Sequence, residues 1–206
     1  IALPLVLQVT MALGAGKMAK EFNAVVTSLP ALQDIASMTV LCSDKTGTLT
    51  TADITISAKK VWINSGFTAA QLALYGCLAS NRDKKEDPID RSVVKHFDAQ
   101  PDSPEKKSYY TDFKQTRSVG FNPIYKRVVF EYEWSKGPKG STKITIAKGL
   151  PVKVMNTEDG GKDDAADQWV CEDYDTLKDK VEKVHYDFSK AGYKTLGVAI
   201  KLGDGP

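Results

Sequence analysis

Cysteine is scarce in this chain and badly spaced for any framework. Cys42, Cys77 and Cys171 are three, an odd number with no close pair. That argues against a disulfide scaffold and against a zinc site, and it fits a reducing cytosolic setting. Histidine is scarcer still: His96 and His185 lie far apart, and each reads as a helix-surface residue rather than a ligand or base. Neither sign of charge is in excess, since 28 Lys and Arg against 26 Asp and Glu leave a net charge of +2. That balance gives no footing for nucleic acid or an anionic membrane surface. Lys84-Lys85 and Lys106-Lys107 carry no interleaved aromatics and read as solvated loop charges. The acidic stretch Thr157 to Asp167 lacks the spacing of a calcium loop and reads as a surface loop. With 42% hydrophobic and 26% charged residues the composition is that of an ordinary folded chain. Its 206 residues allow one or two domains at roughly 100–200 residues each.

A complete hydrophobic span is missing too. Ile1 to Gly16 carries no charge and then meets Lys17 and Lys20, whereas a crossing helix needs about 20 apolar residues. The basic start of a signal peptide is absent. A chain beginning on Ile rather than Met looks cut from a longer one. The expectation is the cytosolic half of a transmembrane helix running into a stalk, with a buried soluble helix as the alternative. Pro4 lies inside this run, where it removes a backbone donor and tends to break or kink a helix.

What the chain does have is the string Val40-Leu41-Cys42-Ser43-Asp44-Lys45-Thr46-Gly47-Thr48-Leu49-Thr50. The short apolar run Met38 to Leu41 reads as a buried strand that delivers Asp44 to its C-terminal end. In open α/β sheets the ligand crevice lies just outside that end. After Asp44 come a cation, two hydroxyl residues and a glycine, so backbone N–H groups can close round an anion. A carboxylate among donors suits a covalent nucleophile, and aspartyl-phosphate is one recognised product. A strand ending in an ordinary Ser/Asp/Thr/Gly turn is the bland alternative.

Asp44-Lys45-Thr46-Gly47-Thr48-Leu49-Thr50 resembles the phosphorylation signature of P-type ATPases, the ion pumps that work through a phosphoenzyme. Phosphatases with a similar aspartate usually carry a second aspartate two positions later. Here that position is Thr46, which does no acid–base work near neutral pH, so a phosphoenzyme should persist. The resemblance extends to Pro4. Ile1-Ala2-Leu3-Pro4, followed by Thr10-Met11-Ala12, is similar to the ion-site helix of the proton-pumping members of that family in plant and fungal plasma membranes. No thiolate or carboxylate flanks Pro4, so a metal ion would find no side-chain ligand there. A proton is the favoured cargo, and another cation is the alternative.

The rest of the chain reads in order. Leu29, Leu32, Ile35 and Ala36 fall at helical spacing after Ser28 and Pro30. Ile54 to Ala58 and Val61 to Ile63 are strand-like, and Asn64-Ser65-Gly66 is a turn. Thr68 to Asn81 predicts a helix with Leu72, Tyr75 and Leu78 on one face. Asp87 and Pro88 predict the start of a second, with Ile89, Val93 and Phe97 as its stripe. Gln100 to Lys107 reads as a connector. Thr116 to Phe121, Lys126 to Trp134 and Thr142 to Ala147 predict strands, the second half-buried, with a turn at Lys136 to Gly140. Glu172 to Ala191 predicts an amphipathic helix with Tyr174, Leu177, Val181, Val184 and Phe188 as its seam, capped by Gly192.

Several of these element ends carry a second group of candidates. Asp90 in a first helical turn is favourable to the helix dipole. Phe121 is a core residue or an exposed platform that stacks on a purine. Lys126 and Lys148 suit phosphates as point charges, and Gly149 lets backbone approach a ligand. Phe121-Asn122-Pro123-Ile124-Tyr125-Lys126-Arg127 and Lys148-Gly149-Leu150-Pro151 resemble nucleotide-domain motifs of P-type pumps. The resemblance implies that Phe121 stacks on adenine, that Asp90 contacts the adenine amino group, and that Lys126, Lys148 and Gly149 line the ATP pocket. Leu150 stands where the family usually has alanine. Lys194, in the segment Ala191 to Ala199, replaces the family's usual arginine and cannot grip phosphate oxygens bidentately.

The implied organisation is α/β. Residues 1–26 form the half-helix and stalk, and 27–54 start a Rossmann-like, haloacid-dehalogenase-type phosphorylation domain. Residues 55–201 form an inserted nucleotide-binding domain with an antiparallel sheet flanked by helices, and 202–206 are a return linker. The implied chemistry is in-line transfer of the γ-phosphoryl group of MgATP to Asp44, which depends on positioning and charge neutralisation. Asp44 is the nucleophile and a Mg2+ ligand, the Thr46 carbonyl is another ligand, and Lys45, Thr46 and Thr48 surround the phosphate. The nucleotide domain delivers ATP by closing. The implied setting is a multi-pass plasma-membrane protein with most of this segment on the cytosolic side. The chain stops before the family's Thr-Gly-Asp and Gly-Asp-Gly-x-Asn-Asp segments, so alone it is expected to bind nucleotide but not to pump, and to phosphorylate poorly. The rivals are a stand-alone nucleotide-binding or regulatory module and a soluble phosphatase.

Overall fold

A computed structural model describes residues 2–51, 53–83, 87–137, 140–156, 170–172 and 174–203. The expected acidic loop, the Lys84-Lys85 charges, the tip of the Lys136–Gly140 turn and the end of the return linker lie outside the described residues. The chain divides into two units, Ile1–Ala52 and Asp53–Pro206.

The first unit has two helices, α1 (Ala2–Phe22) and α2 (Leu29–Ala36). Helix α1 runs through Pro4. Among the described residues no helix is long and apolar enough to cross a membrane. Helix α2 starts where Ser28 and Pro30 predict it and ends as the Ser37 N–H turns back to the Asp34 carbonyl at 3.2 Å. The expected strand at Met38 to Leu41 is not formed. Val40 and Leu41 are 74% and 73% exposed, and no described strand pairs with this segment. A strand gains nothing from apolar composition without neighbouring N–H and C=O groups to satisfy its own.

The second unit is an α/β body built on one antiparallel meander. Its strands β1 (Phe113–Asn122), β2 (Arg127–Gly137), β3 (Gly140–Gly149) and β4 (Gly197–Leu202) lie side by side in that order. Helix α3 (Ala69–Leu78) opens on a capping box, with the Thr68 hydroxyl accepting from the Gln71 N–H and the Gln71 side chain accepting from the Thr68 N–H. Helix α4 (Pro88–Asp98) opens on Asp87, whose carboxylate accepts from the N–H groups of Ile89 and Asp90. Leu74, Tyr75, Cys77 and Leu78 of α3 and Phe97 of α4 cover Phe130, Tyr132, Ile144 and Ile146 on one sheet face. This is the main core, and the Tyr132 hydroxyl is satisfied there by the Leu78 carbonyl at 2.6 Å.

Several expectations are corrected here. Strand β2 is buried on both faces over its first half, where Val129, Phe130, Glu131 and Tyr132 are all buried, and is half-buried only from Glu133 on. The second face is covered as well, because Val154 of the short α6 (Pro151–Met155) joins Val129 and Ala147 in a smaller cluster. Glu131 is tolerated on that strand because Arg117 and Lys143 pair with it at 3.2 and 3.5 Å. Ile54 to Ala58 and Val61 to Ile63 form no strand, for want of a partner in the sheet. The connector after Gln100 contains α5 (Pro104–Thr111), capped by Ser103 with Pro104 at the first position, the same signal that marks α4. Ile89 is 44% exposed and drops out of the α4 stripe, while Val93 and Phe97 stay buried. The seam of α7 (Tyr174–Lys190) holds, with Val181 buried and Gly192 at φ +85° beyond its end.

Candidate functional site

The first group of candidates sits on a tight loop. Gly47, at φ +86°, supplies a left-handed turn that a side chain would strain. Its N–H donates to the Thr50 carbonyl at 3.0 Å. The Lys45 carbonyl accepts from the Leu49 and Thr50 N–H groups and from the Thr50 hydroxyl, each at 3.1 Å. Asp44, Lys45, Thr46 and Thr48 are all exposed. Their oxygen and cation groups therefore stand exposed on a loop braced by its own backbone.

The second group is assembled by the sheet. One row of paired residues crosses all four strands: Asn122 with Arg127, Arg127 with Gly149, and Gly149 with Gly197. Phe121, Lys126 and Lys148 each adjoin that row, so β-pairing brings together residues up to 76 positions apart in sequence (121 to 197). The glycines are dictated by packing. A Cβ on Gly149 would lie 2.3 Å from the Lys126 carbonyl oxygen, and one on Gly197 would lie 2.7 Å from Pro151 Cα. Gly149 is thus spent on strand approach at the site's edge. Lys126 adopts φ +52°, uncommon without glycine. Its backbone is held there by its N–H donating to the Asn122 carbonyl at 2.7 Å and its carbonyl accepting from the Leu150 N–H at 3.0 Å.

Phe121 is 64% exposed, so of the two readings open for it the platform is the one its position allows. Lys126 and Lys194 are exposed cations. Lys148 differs from both. It is 4% exposed, and its ammonium donates to the Ser80 hydroxyl at 2.6 Å and to the Asp90 carboxylate. Burial pushes the Lys148 ammonium below the usual lysine range, and the Asp90 carboxylate beside it opposes that shift. The other Asp90 oxygen accepts from the Asn81 N–H at 2.9 Å. Asp90 and Lys148, 58 positions apart, are therefore one ion pair, with α4 supplying the anion and β3 the cation. Sequence reasoning missed Ser80 and Asn81. Both fall just past the end of α3, where a serine or asparagine ordinarily marks only a helix terminus.

Among the described residues no group of three or more His, Cys, Asp or Glu side chains is placed to hold a metal ion. For a hard cation on the Asp44 loop the donors are the Asp44 carboxylate and a backbone carbonyl. All are oxygens, as Mg2+ prefers, and it keeps several waters of its own.

No family model matches the chain. Curated relatives do. A plasma membrane ATPase of Neurospora crassa is 36% identical across 100% of this chain and 20% of its own length. Plasma membrane ATPase 1 of Saccharomyces cerevisiae is 34% identical, again over 100% of this chain and 20% of its own length. A plasma membrane ATPase of Dunaliella bioculata is 32% identical over 100% of the chain and 16% of its own length. The chain thus spans about one fifth of the curated relatives it matches first. The match runs through the Asp44 loop and the four-stranded body alike, and over that segment the chain belongs to the P-type ATPase family, among the plasma membrane ATPases.

Proposed function

We propose that this chain is the ATP-handling segment of a plasma-membrane P-type ATPase that exports a cation, with the proton as the favoured cargo. The observation that carries the reading is the match to plasma membrane ATPases along its whole length. Residues from 55 onward act as the nucleotide-binding domain. Phe121 stacks on the adenine, Asp90 accepts from its amino group, and Lys126 and Lys194 stand over the phosphates. Residues 27–54 open the Rossmann-like phosphorylation domain, and 1–26 lead in from the membrane.

The chemistry proposed is in-line attack by an Asp44 carboxylate oxygen on the γ-phosphorus of ATP. An O–P bond forms to Asp44 and the bond to the β–γ bridging oxygen breaks, releasing ADP. Lys45, Thr46 and Thr48 offer positive charge and hydrogen-bond donors to the transferred group, which is where such reactions gain most of their rate. The Asp44 carboxylate and the Thr46 carbonyl would hold Mg2+, which supplies neutralisation of phosphate charge. Thr46 offers no second carboxylate to activate water, so the acyl-phosphate persists long enough for a conformational step. The test is labelling of the intact pump that carries this segment with MgATP labelled at the γ position. Acid-stable, hydroxylamine-labile label that disappears in Asp44→Asn is expected. Label that survives Asp44→Asn overturns the assignment.

A further inference from the structure

The Lys148 ammonium is not a lone cation waiting for phosphate. It is 4% exposed, and two groups already face it: the Asp90 carboxylate and the Ser80 hydroxyl, the latter at 2.6 Å. Ser80 is itself 5% exposed, and its hydroxyl donates to the Gly76 carbonyl one turn back in α3 at 2.8 Å. The oxygen is therefore left as an acceptor aimed at Lys148. The next residue, Asn81, donates its backbone N–H to the second Asp90 oxygen at 2.9 Å. Two consecutive residues just past α3 thus hold both halves of the ion pair, one through a hydroxyl and one through the backbone. The halves themselves come from different elements, α4 and β3, and the end of α3 is what ties the two together.

We infer that Ser80 is a positioning residue of the nucleotide pocket: its hydroxyl fixes the Lys148 ammonium, and through it the Asp90 carboxylate, as one preformed unit. The inference rests on the nucleotide reading above and adds to it a residue that touches no ligand. Preformation matters because a long lysine side chain loses considerable rotamer freedom on ordering, and a site that has already lost it binds more tightly. A pair whose lone pairs and protons are satisfied in place also avoids the desolvation cost that a loosened buried charge would carry.

The test is a double-mutant cycle read by calorimetric titration of ATP into this chain, with thermal unfolding run on every variant. Ser80→Ala is expected to weaken ATP binding about tenfold, the low end of what a hydrogen bond to a charged group contributes. Ser80→Thr, which keeps the hydroxyl, is expected to restore most of it. Lys148→Met should weaken binding by itself, and adding Ser80→Ala to it should then change the affinity less than about twofold, since Ser80 acts through Lys148. An additive effect in the double variant, or no effect of Ser80→Ala while Lys148→Met and Phe121→Ala both weaken binding, overturns the role of Ser80 and leaves the pocket standing. Absence of ATP binding by the folded wild-type chain, or binding untouched by Lys148→Met and Phe121→Ala, overturns the pocket and this inference together.

Discussion

The two units carry their candidate residues by opposite means. In the first, Asp44 and its neighbours are consecutive in sequence and stand on a loop that its own hydrogen bonds brace. Among the described residues of that unit none is buried. In the second, the candidates are scattered over 59 positions (90 to 148): strand pairing places Phe121, Lys126 and Lys148 along one end of the sheet, and helix α4 brings Asp90 to Lys148. The contrast teaches where each function is vulnerable. A local motif is broken by changing its own residues. An assembled pocket is broken equally by changing the core beneath it.

That difference is open to direct attack. The largest effect is expected in the core. Phe97→Ala empties one of the largest fully buried side-chain volumes of the second unit and should cost about 3–5 kcal/mol of its unfolding free energy. Leu41→Ala, at a position 73% exposed, should stay within about 0.5 kcal/mol. Chemical denaturation of both variants measures the difference. Gly149→Ala is next. Its Cβ would meet the Lys126 carbonyl at 2.3 Å, so strands must shift at the pocket edge, with a loss of about 1–3 kcal/mol in stability and weaker ATP binding. Phe121→Ala should separate binding from folding. The thermal midpoint should hardly move, while ATP affinity falls by roughly 1–3 kcal/mol, the scale of base–aromatic stacking.

The smallest effect is electrostatic and lies at the other end of the sheet. Asp112 ends α5, and its carboxylate is drawn from the ordinary 3.8 down to about 2 by Lys136 first, then by the hydroxyls of Thr111 and Ser108. A carboxylate with a depressed folded value contributes its full stability above pH 3.8 and loses it as pH falls from there towards about 2. Asp112→Asn should therefore flatten the acid limb of the stability–pH curve in that window. Elsewhere on the curve it should leave the slope alone.

How much of this was legible in sequence follows the same division. The Asp44 string declares itself because its residues are adjacent. Capping signals at Asp87 and Gly192 mark the start of α4 and the end of α7, since each is a local hydrogen-bonding device, and apolar spacing marks α3. The strand expected at Val40 failed because strand formation depends on partners that a single stretch does not specify. The same holds for Ile54 to Ile63. In β2 the alternation reports one face only, and the Val154 side chain that covers the other belongs to α6, beyond the next strand. Asp90 and Lys148 are each legible as candidates, but their pairing is not, because no spacing rule links a helix N-terminus to a strand end 58 residues away.

The most direct measurement of the central claim is a calorimetric titration of ATP into this chain beside Phe121→Ala, with both shown to be folded. Saturable binding by the wild type, weakened at least about fivefold by loss of the stacking ring, is the predicted result. Equal affinity in the two, or no binding by the folded wild type, would contradict a nucleotide pocket at this end of the sheet.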